Sequence, residues 1–112
     1  MYYIALRKPV VPRDQWTVDL DTHLKWMEEQ HNSGKILLSG PSPDRRLGIY
    51  LIRADDRAEA ERIAGGDPYT AAGHCTFELI EWEIHQALGV GPFAAAGLAR
   101  SREATPGGAP GR

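Results

Sequence analysis

Six segments with strand-like or helix-like patterns follow one another along this chain, and their order constrains the fold more than any other feature. Four of them are rich in β-branched, aromatic and leucine residues, which is typical of strands. The predicted strands are Tyr2–Leu6, Ile36–Gly40, Gly48–Arg53 and Thr76–Ile84. Two segments with apolar residues at helical spacing lie after the first and the third strand. The order is therefore β-α-β-β-α-β.

The ends of the two predicted helices are marked by capping residues. The first helix extends from about Asp19 to Ser33, and either Thr17 or Asp19 could cap its start. The second helix begins after Asp55 or Asp56 and ends at a Gly-Gly pair, which favours termination. The expected apolar face of the first helix consists of Leu20, Leu24, Met27 and His31.

This order predicts a ferredoxin-like α+β fold, in which a four-stranded antiparallel sheet carries both helices on one face. The first two strands are expected to be largely buried. In the fourth strand, Ile80, Trp82 and Ile84 are expected on one face with charged residues on the other. The sheet face without helices needs a cover, and pairing of two sheets would supply it. We therefore expect a homodimer through the open sheet face.

Tracing the strand directions brings four distant parts of the chain to one edge of the predicted sheet. They are the end of strand one, the first turns of helix one with His23, the Ser-Gly-Pro turn after strand two, and the loop before strand four that contains Asp67. We expect a small-molecule pocket at this edge. The candidate substrate-binding residues are Ser39, Gly40, Pro41, Pro68 and Tyr69.

His23 and Asp67 are the candidate catalytic residues of this pocket. Pro68 restricts the backbone of the residue before it, so the Asp67 carboxylate should have a defined direction. His23 borders the core-facing stripe of helix one, where a fixed carboxylate can orient an imidazole as a base. The structural alternatives are a histidine that only packs at the core boundary and an aspartate that only braces a turn.

Composition bounds the class of protein. The chain has 112 residues, 25% of them charged, and a formal net charge of −2, which suits one globular domain and favours neither a nucleic acid nor a membrane partner. No apolar run approaches the roughly 20 residues that span a bilayer, and a cytoplasmic protein is expected. Residues 1–88 are predicted to form the domain, and residues 89–112, rich in Gly, Ala and Pro, a flexible tail.

A metal or cofactor site is not expected. The side chains of His31, His74, Cys75 and His85 could bind a metal, yet their spacing matches no zinc pattern. Gly89-Val90-Gly91 lacks the third glycine of a dinucleotide fingerprint. The residues themselves therefore give no signal for a metal or a cofactor.

Several short motifs occur in order over about residues 1 to 86. They are Thr22-His23-Leu24, Gly34, Leu37-Leu38-Ser39-Gly40-Pro41, and Asp67-Pro68-Tyr69 with Ala72-Gly73. In this order they resemble the YCII-related domain family, small ferredoxin-like proteins that pair into a dimeric α+β barrel. The resemblance implies that His23 and Asp67 form the active-site pair. It also implies cofactor-independent chemistry, as in a relative that removes chloride from a hydroxylated aromatic ring.

These observations favour a small cofactor-independent enzyme of the lyase or isomerase type, with a histidine general base. The expected substrate is a hydroxylated aromatic, a quinol or an enolisable carbonyl compound, and elimination, dehydration and isomerisation all fit the same residues. The alternative is a non-catalytic module that uses the same cleft to bind a small molecule or to serve a partner enzyme.

Overall fold

The computed structural model describes residues 1–88, and the predicted tail, residues 89–112, lies outside the described residues. The strands are β1 (Tyr2–Pro9), β2 (Ile36–Pro41), β3 (Gly48–Arg53) and β4 (Cys75–Trp82). The helices are α1 (Leu20–Asn32), α2 (Arg57–Gly65) and the four-residue α3 (Pro68–Ala71), and a single 3₁₀ turn spans Arg13–Gln15.

The strands form one sheet in the order β2-β3-β1-β4, and each neighbouring pair is antiparallel. One apolar core joins the inner face of this sheet to α1 and α2, so both helices lie on the same side. The arrangement confirms the predicted ferredoxin-like α+β fold. The core includes Tyr3, Ala5, Met27, Ile36, Ile52, Ala60, Ile63 and Leu79.

The helix ends follow the capping residues in the sequence. The Asp19 carboxylate accepts a hydrogen bond from the backbone N–H of Thr22 at 2.8 Å and caps α1. Asp56 accepts one from the backbone N–H of Glu59, also at 2.8 Å, and caps α2. The second glycine of the Gly-Gly pair, Gly66, is the C-cap of α2.

Two predictions about the strands were wrong. In β2 only Ile36 is buried, because β2 is an edge strand whose other side chains are exposed. β4 ends at Trp82, before Ile84, and Glu78 lies on the same face as Ile80 and Trp82 because alternate side chains share a face. Charge is therefore not confined to the face opposite Ile80. That opposite face carries Cys75, Phe77 and Leu79 and packs toward the helices.

The expected apolar face of α1 was wrong except at Met27. His23 and Met27, four residues apart, are the buried side chains of α1. The neighbouring stripe contains Leu20 and Leu24, which are 60% and 51% exposed. Both line a cavity beside the helix, so the helix is rotated about its axis relative to the prediction.

Met1–Trp82 forms one compact unit, and the described residues 83–88 belong to a second unit. The predicted domain boundary at residue 88 stays a prediction. In the part of the chain that the structure describes, no helix is both long and apolar enough to cross a membrane.

Candidate functional site

The site is built around Arg7, a buried arginine near the end of β1. Because side chains alternate along a strand, Arg7 follows Tyr3 and Ala5 on the face that the helices cover. Its neighbours on the adjacent strands are Gly48 and Phe77. A Cβ atom at Gly48 would lie 2.7 Å from Cζ of Arg7, so this glycine leaves the space that the guanidinium occupies.

Asp67 is the negatively charged partner of Arg7. Its Oδ2 accepts a hydrogen bond from Nη1 of Arg7 at 2.9 Å and another from the hydroxyl of Tyr50. Its Oδ1 accepts from the backbone N–H of Tyr69 at 2.9 Å and so caps α3. Pro68 occupies the first position of α3, where a helix does not use the N–H. The segment predicted as a loop is therefore a capped helical turn, and its cap is the fully buried carboxylate.

The first turn of α1 brings His23 against this ion pair. Nε2 of His23 lies 2.9 Å from Nη1 of Arg7 and 3.4 Å from Oδ2 of Asp67. The imidazole stacks on the ring of Tyr69, with centroids 4.5 Å apart and planes inclined by 14°. The structure thus brings together the two candidate catalytic residues, with Arg7 in contact with both.

The contacts of His23 indicate its protonation state. A guanidinium N–H can only donate, so the short contact with Arg7 fits an Nε2 without a proton. Burial lowers the pKa of His23; the Asp67 carboxylate opposes this effect and Arg7 adds to it. Because the pKa lies below the usual value of about 6.5, His23 is mainly neutral at pH 7. Nδ1 is buried and has no hydrogen-bond partner within residues 1–88.

A cavity of about 500 Å³ adjoins the cluster formed by Arg7, Tyr50, His23 and Asp67. Its lining includes the buried residues Arg7, His23, Tyr50 and Tyr69, together with the apolar stripe of α1. Asp67 lies behind these residues and has no exposed surface. The volume falls within the range of about 300–1,000 Å³ that is typical of small-molecule sites.

Most of the predicted substrate-binding residues meet at this cavity. Pro68 is the exception, since it acts on the backbone at the start of α3. The hydroxyl of Ser39 lies 2.9 Å from Nε2 of His31, which holds it at the cavity wall. The predicted residues that line the cavity are Ser39, Gly40, Pro41 and Tyr69.

The sequence interpretation missed Arg7 and Tyr50. The signal was present, because Arg7 continues the alternation of Tyr3 and Ala5, which places it on the inner face of a predicted strand. An arginine at an inward position needs a buried partner, and Asp67 was the available carboxylate. Tyr50 is inward by the same alternation in β3.

The side chains considered as metal ligands do not form a site in the described region. His74 stacks on the ring of Trp16, with centroids 5.8 Å apart, and its Nε2 accepts a hydrogen bond from the backbone N–H of Thr17 at 3.1 Å. Within residues 1–88, no three His, Cys, Asp or Glu side chains are grouped so that they could hold a metal ion.

The fold and the site define a small ferredoxin-like α+β protein with a buried Arg-Tyr-His-Asp cluster beside an apolar cavity. Residues 1–83 match the model of the YCII-related domain, and the chain belongs to this family. A relative in Bacillus subtilis, the uncharacterized protein YjpA, is 29% identical over 62 residues, which are 55% of this chain and 73% of the relative.

A solved structure supports the fold. It is 5-chloro-2-hydroxyhydroquinone dehydrochlorinase from Burkholderia phenoliruptrix in complex with 2,5-dihydroxybenzoquinone. The TM-score is 0.61 at 22% identity, and the match covers 74% of this chain and 94% of the dehydrochlorinase. At this identity the likeness bears on the fold alone.

Proposed function

We propose that this protein is a cofactor-independent enzyme that moves a proton on a small hydroxylated aromatic, quinol or enolisable carbonyl compound. The observation that carries the proposal is the buried His23, whose Nε2 lies within 3.4 Å of both the Asp67 carboxylate and the Arg7 guanidinium beside an apolar cavity. The dehydrochlorinase with the same fold acts on a compound of this class, which supports the choice of substrate.

In the proposed reaction, His23 takes a proton from a substrate hydroxyl or from a carbon next to a carbonyl. The O–H or C–H bond breaks and an N–H bond forms at Nε2, which gives up its hydrogen bond from Arg7. The Asp67 carboxylate, 3.4 Å from Nε2, stabilises the positive charge of the imidazolium. Arg7 lies in the cavity wall and stabilises the negative charge that develops on the substrate oxygen. The freed electron pair then expels a leaving group, or it accepts the proton back from the His23 imidazolium at another carbon.

Turnover of a panel of quinols, chlorinated quinols and enolisable ketones tests this function. We expect the wild type to convert at least one compound, as measured by ultraviolet absorbance and chloride release. His23→Gln and Asp67→Asn should each lower the rate about 100-fold or more, the usual contribution of general acid–base catalysis. Glu28→Gln, which changes an exposed carboxylate on the same helix, is the matched control and should keep the wild-type rate. Equal rates in all four proteins would contradict the proposal.

We also propose that two copies associate through the open face of the sheet. Four apolar side chains from the four strands form one row across this face, since Ile4 pairs with both Leu51 and Ile80, and Leu51 pairs with Leu38. Leu38 is 67% exposed and Ile80 47% exposed. A second copy of the same row would remove these side chains from water.

A further inference from the structure

The charges around the cavity are unbalanced. Arg7 is neutralised by Asp67, whereas two further arginines, Arg13 and Arg45, line the cavity without an ion-pair partner within residues 1–88. The cavity lining in the described part of the chain contains no aspartate or glutamate. The site therefore carries two uncompensated positive charges in a chain whose formal net charge is −2.

These two arginines are exposed, while Arg7 and His23 are buried, so they define the outer rim of the cavity. Contacts within the protein hold the rim arginine Arg13 in place. Its Nη2 donates a hydrogen bond to the backbone carbonyl of Arg45 at 3.1 Å, and its Cζ lies 4.7 Å from the ring centroid of Trp16. A cation that is fixed in this way loses little side-chain freedom when it binds an anion.

The backbone of Arg45 is unusual. Its φ is +64°, in the left-handed region that favours glycine, and within residues 1–88 it is the only non-glycine residue with a positive φ. This conformation accompanies the carbonyl contact with Arg13. Backbone strain of this kind is found preferentially at functional sites.

The cavity lining also includes an apolar wall of Leu20, Leu24 and Met27 on α1. An apolar ring fits against such a wall, with its reactive oxygen at Arg7 and His23. A charged substituent on the far side of that ring would lie at the rim. Arginine forks bind carboxylates through paired, charge-assisted hydrogen bonds.

We propose that the substrate carries an ionised carboxylate in addition to its reactive hydroxyl or carbonyl, and that Arg13 and Arg45 bind this carboxylate at the rim. This inference rests on the proposed function, which supplies the reactive hydroxyl or carbonyl. It adds that the substrate is also a carboxylic acid. The ligand is therefore a hydroxylated aromatic acid or an acid of similar shape, rather than a neutral quinol.

Binding of two matched quinols tests the inference. Gentisate carries the carboxylate, and gentisamide has the same ring with an uncharged amide. We expect wild-type protein to bind gentisate at least about tenfold more tightly than gentisamide in isothermal titration calorimetry at pH 7. The reason is that the carboxylate can form charge-assisted hydrogen bonds with the two arginines. Arg13→Gln and Arg45→Gly should each reduce this preference at least severalfold.

Arg45→Gly removes the guanidinium but keeps the carbonyl that holds Arg13, and glycine adopts the positive φ without strain. Arg46→Gln is the matched control, because Arg46 is the neighbouring exposed arginine and does not line the cavity. It should keep the preference. Failure of gentisate to bind, equal affinities for the two quinols, or an equal effect of Arg46→Gln would overturn the inference.

A parallel comparison separates this inference from the proposed function. His23→Gln should abolish turnover and keep the preference for gentisate over gentisamide. If the preference is found and no quinol or carbonyl compound is converted, the carboxylate site stands and the proposed reaction fails. If neutral quinols are converted and the acid is not preferred, the reaction stands and the carboxylate site fails.

Discussion

At the scale of single residues, the site depends on a buried ion pair. Asp67 has no exposed side-chain surface and Arg7 has 10%. Moving two charges out of water is costly, so such a pair is stable only if further hydrogen bonds complete it. Tyr50 and the backbone N–H of Tyr69 supply those bonds to the carboxylate.

Removing one member of the pair should therefore be costly. We expect Arg7→Met to lower the free energy of unfolding in urea by about 3–5 kcal/mol, because it leaves a buried carboxylate unpaired. Asp67→Asn in the Arg7→Met background should restore part of this loss, since a neutral amide does not need the guanidinium. Strictly additive effects of the two substitutions would contradict a direct interaction.

The residues of the site differed in how far sequence could predict them. Asp67 and His23 were predicted together because the strand directions place both at one edge of the sheet. Arg7 was missed although its inward position follows from alternation, because its role depends on side chains from three other elements. The protonation of His23 depends on contacts of about 3 Å, which no sequence pattern specifies.

At the scale of elements, two glycines on adjacent strands differ in the space around them. Gly48 in β3 faces the guanidinium of Arg7, whereas a Cβ atom added at Gly40 in β2 would meet no other atom within 4 Å. The two glycines lie one position out of register, since Gly40 pairs with Ile49 and Pro41 with Gly48. They therefore offer a matched comparison.

We expect Gly48→Ala to destabilise the protein by about 1–3 kcal/mol, because the new methyl group would displace a guanidinium that contacts His23, Tyr50 and Asp67. Gly40→Ala should change the free energy of unfolding by less than about 0.5 kcal/mol. Urea denaturation of both variants checks the pair. An equal effect of the two substitutions would show that the space around Arg7 is not limiting.

Element types and order were predictable, and finer geometry was not. The rotation of α1 was missed because Leu20 and Leu24 look like core residues in sequence, whereas here they form a cavity wall. The exposure of β2 was missed because a Leu-rich strand at a sheet edge has the same composition as a central one. The register shift between Ile36 and Leu38 is likewise invisible in sequence.

At the scale of the whole molecule, the fold followed from the order of six segments because few topologies satisfy short connections and right-handed crossovers. The proposed dimer also belongs to this scale. A continuous apolar row on one sheet face is the feature that would bring two copies together.

Ile80→Glu places a charge at the β4 end of that row and should convert the dimer to a monomer in sedimentation velocity experiments. We expect the dimer to dissociate because burying an unpaired carboxylate in an apolar interface is costly. Lys25→Glu, an equally drastic change on an exposed position of α1, should leave the dimer intact. A wild type that sediments as a monomer at all concentrations would disprove the association.

The proposed chemistry requires that His23 is a neutral imidazole coupled directly to Asp67, and an NMR titration of His23 tests this without knowledge of the substrate. In the wild type we expect the pKa of His23 to lie below about 6.5, because burial is the largest influence on it. Asp67→Asn removes the charge that raises this pKa and should lower it further. A wild-type pKa above about 6.5, the ordinary value for histidine, or the same pKa in both proteins, would contradict this role of the His-Asp pair.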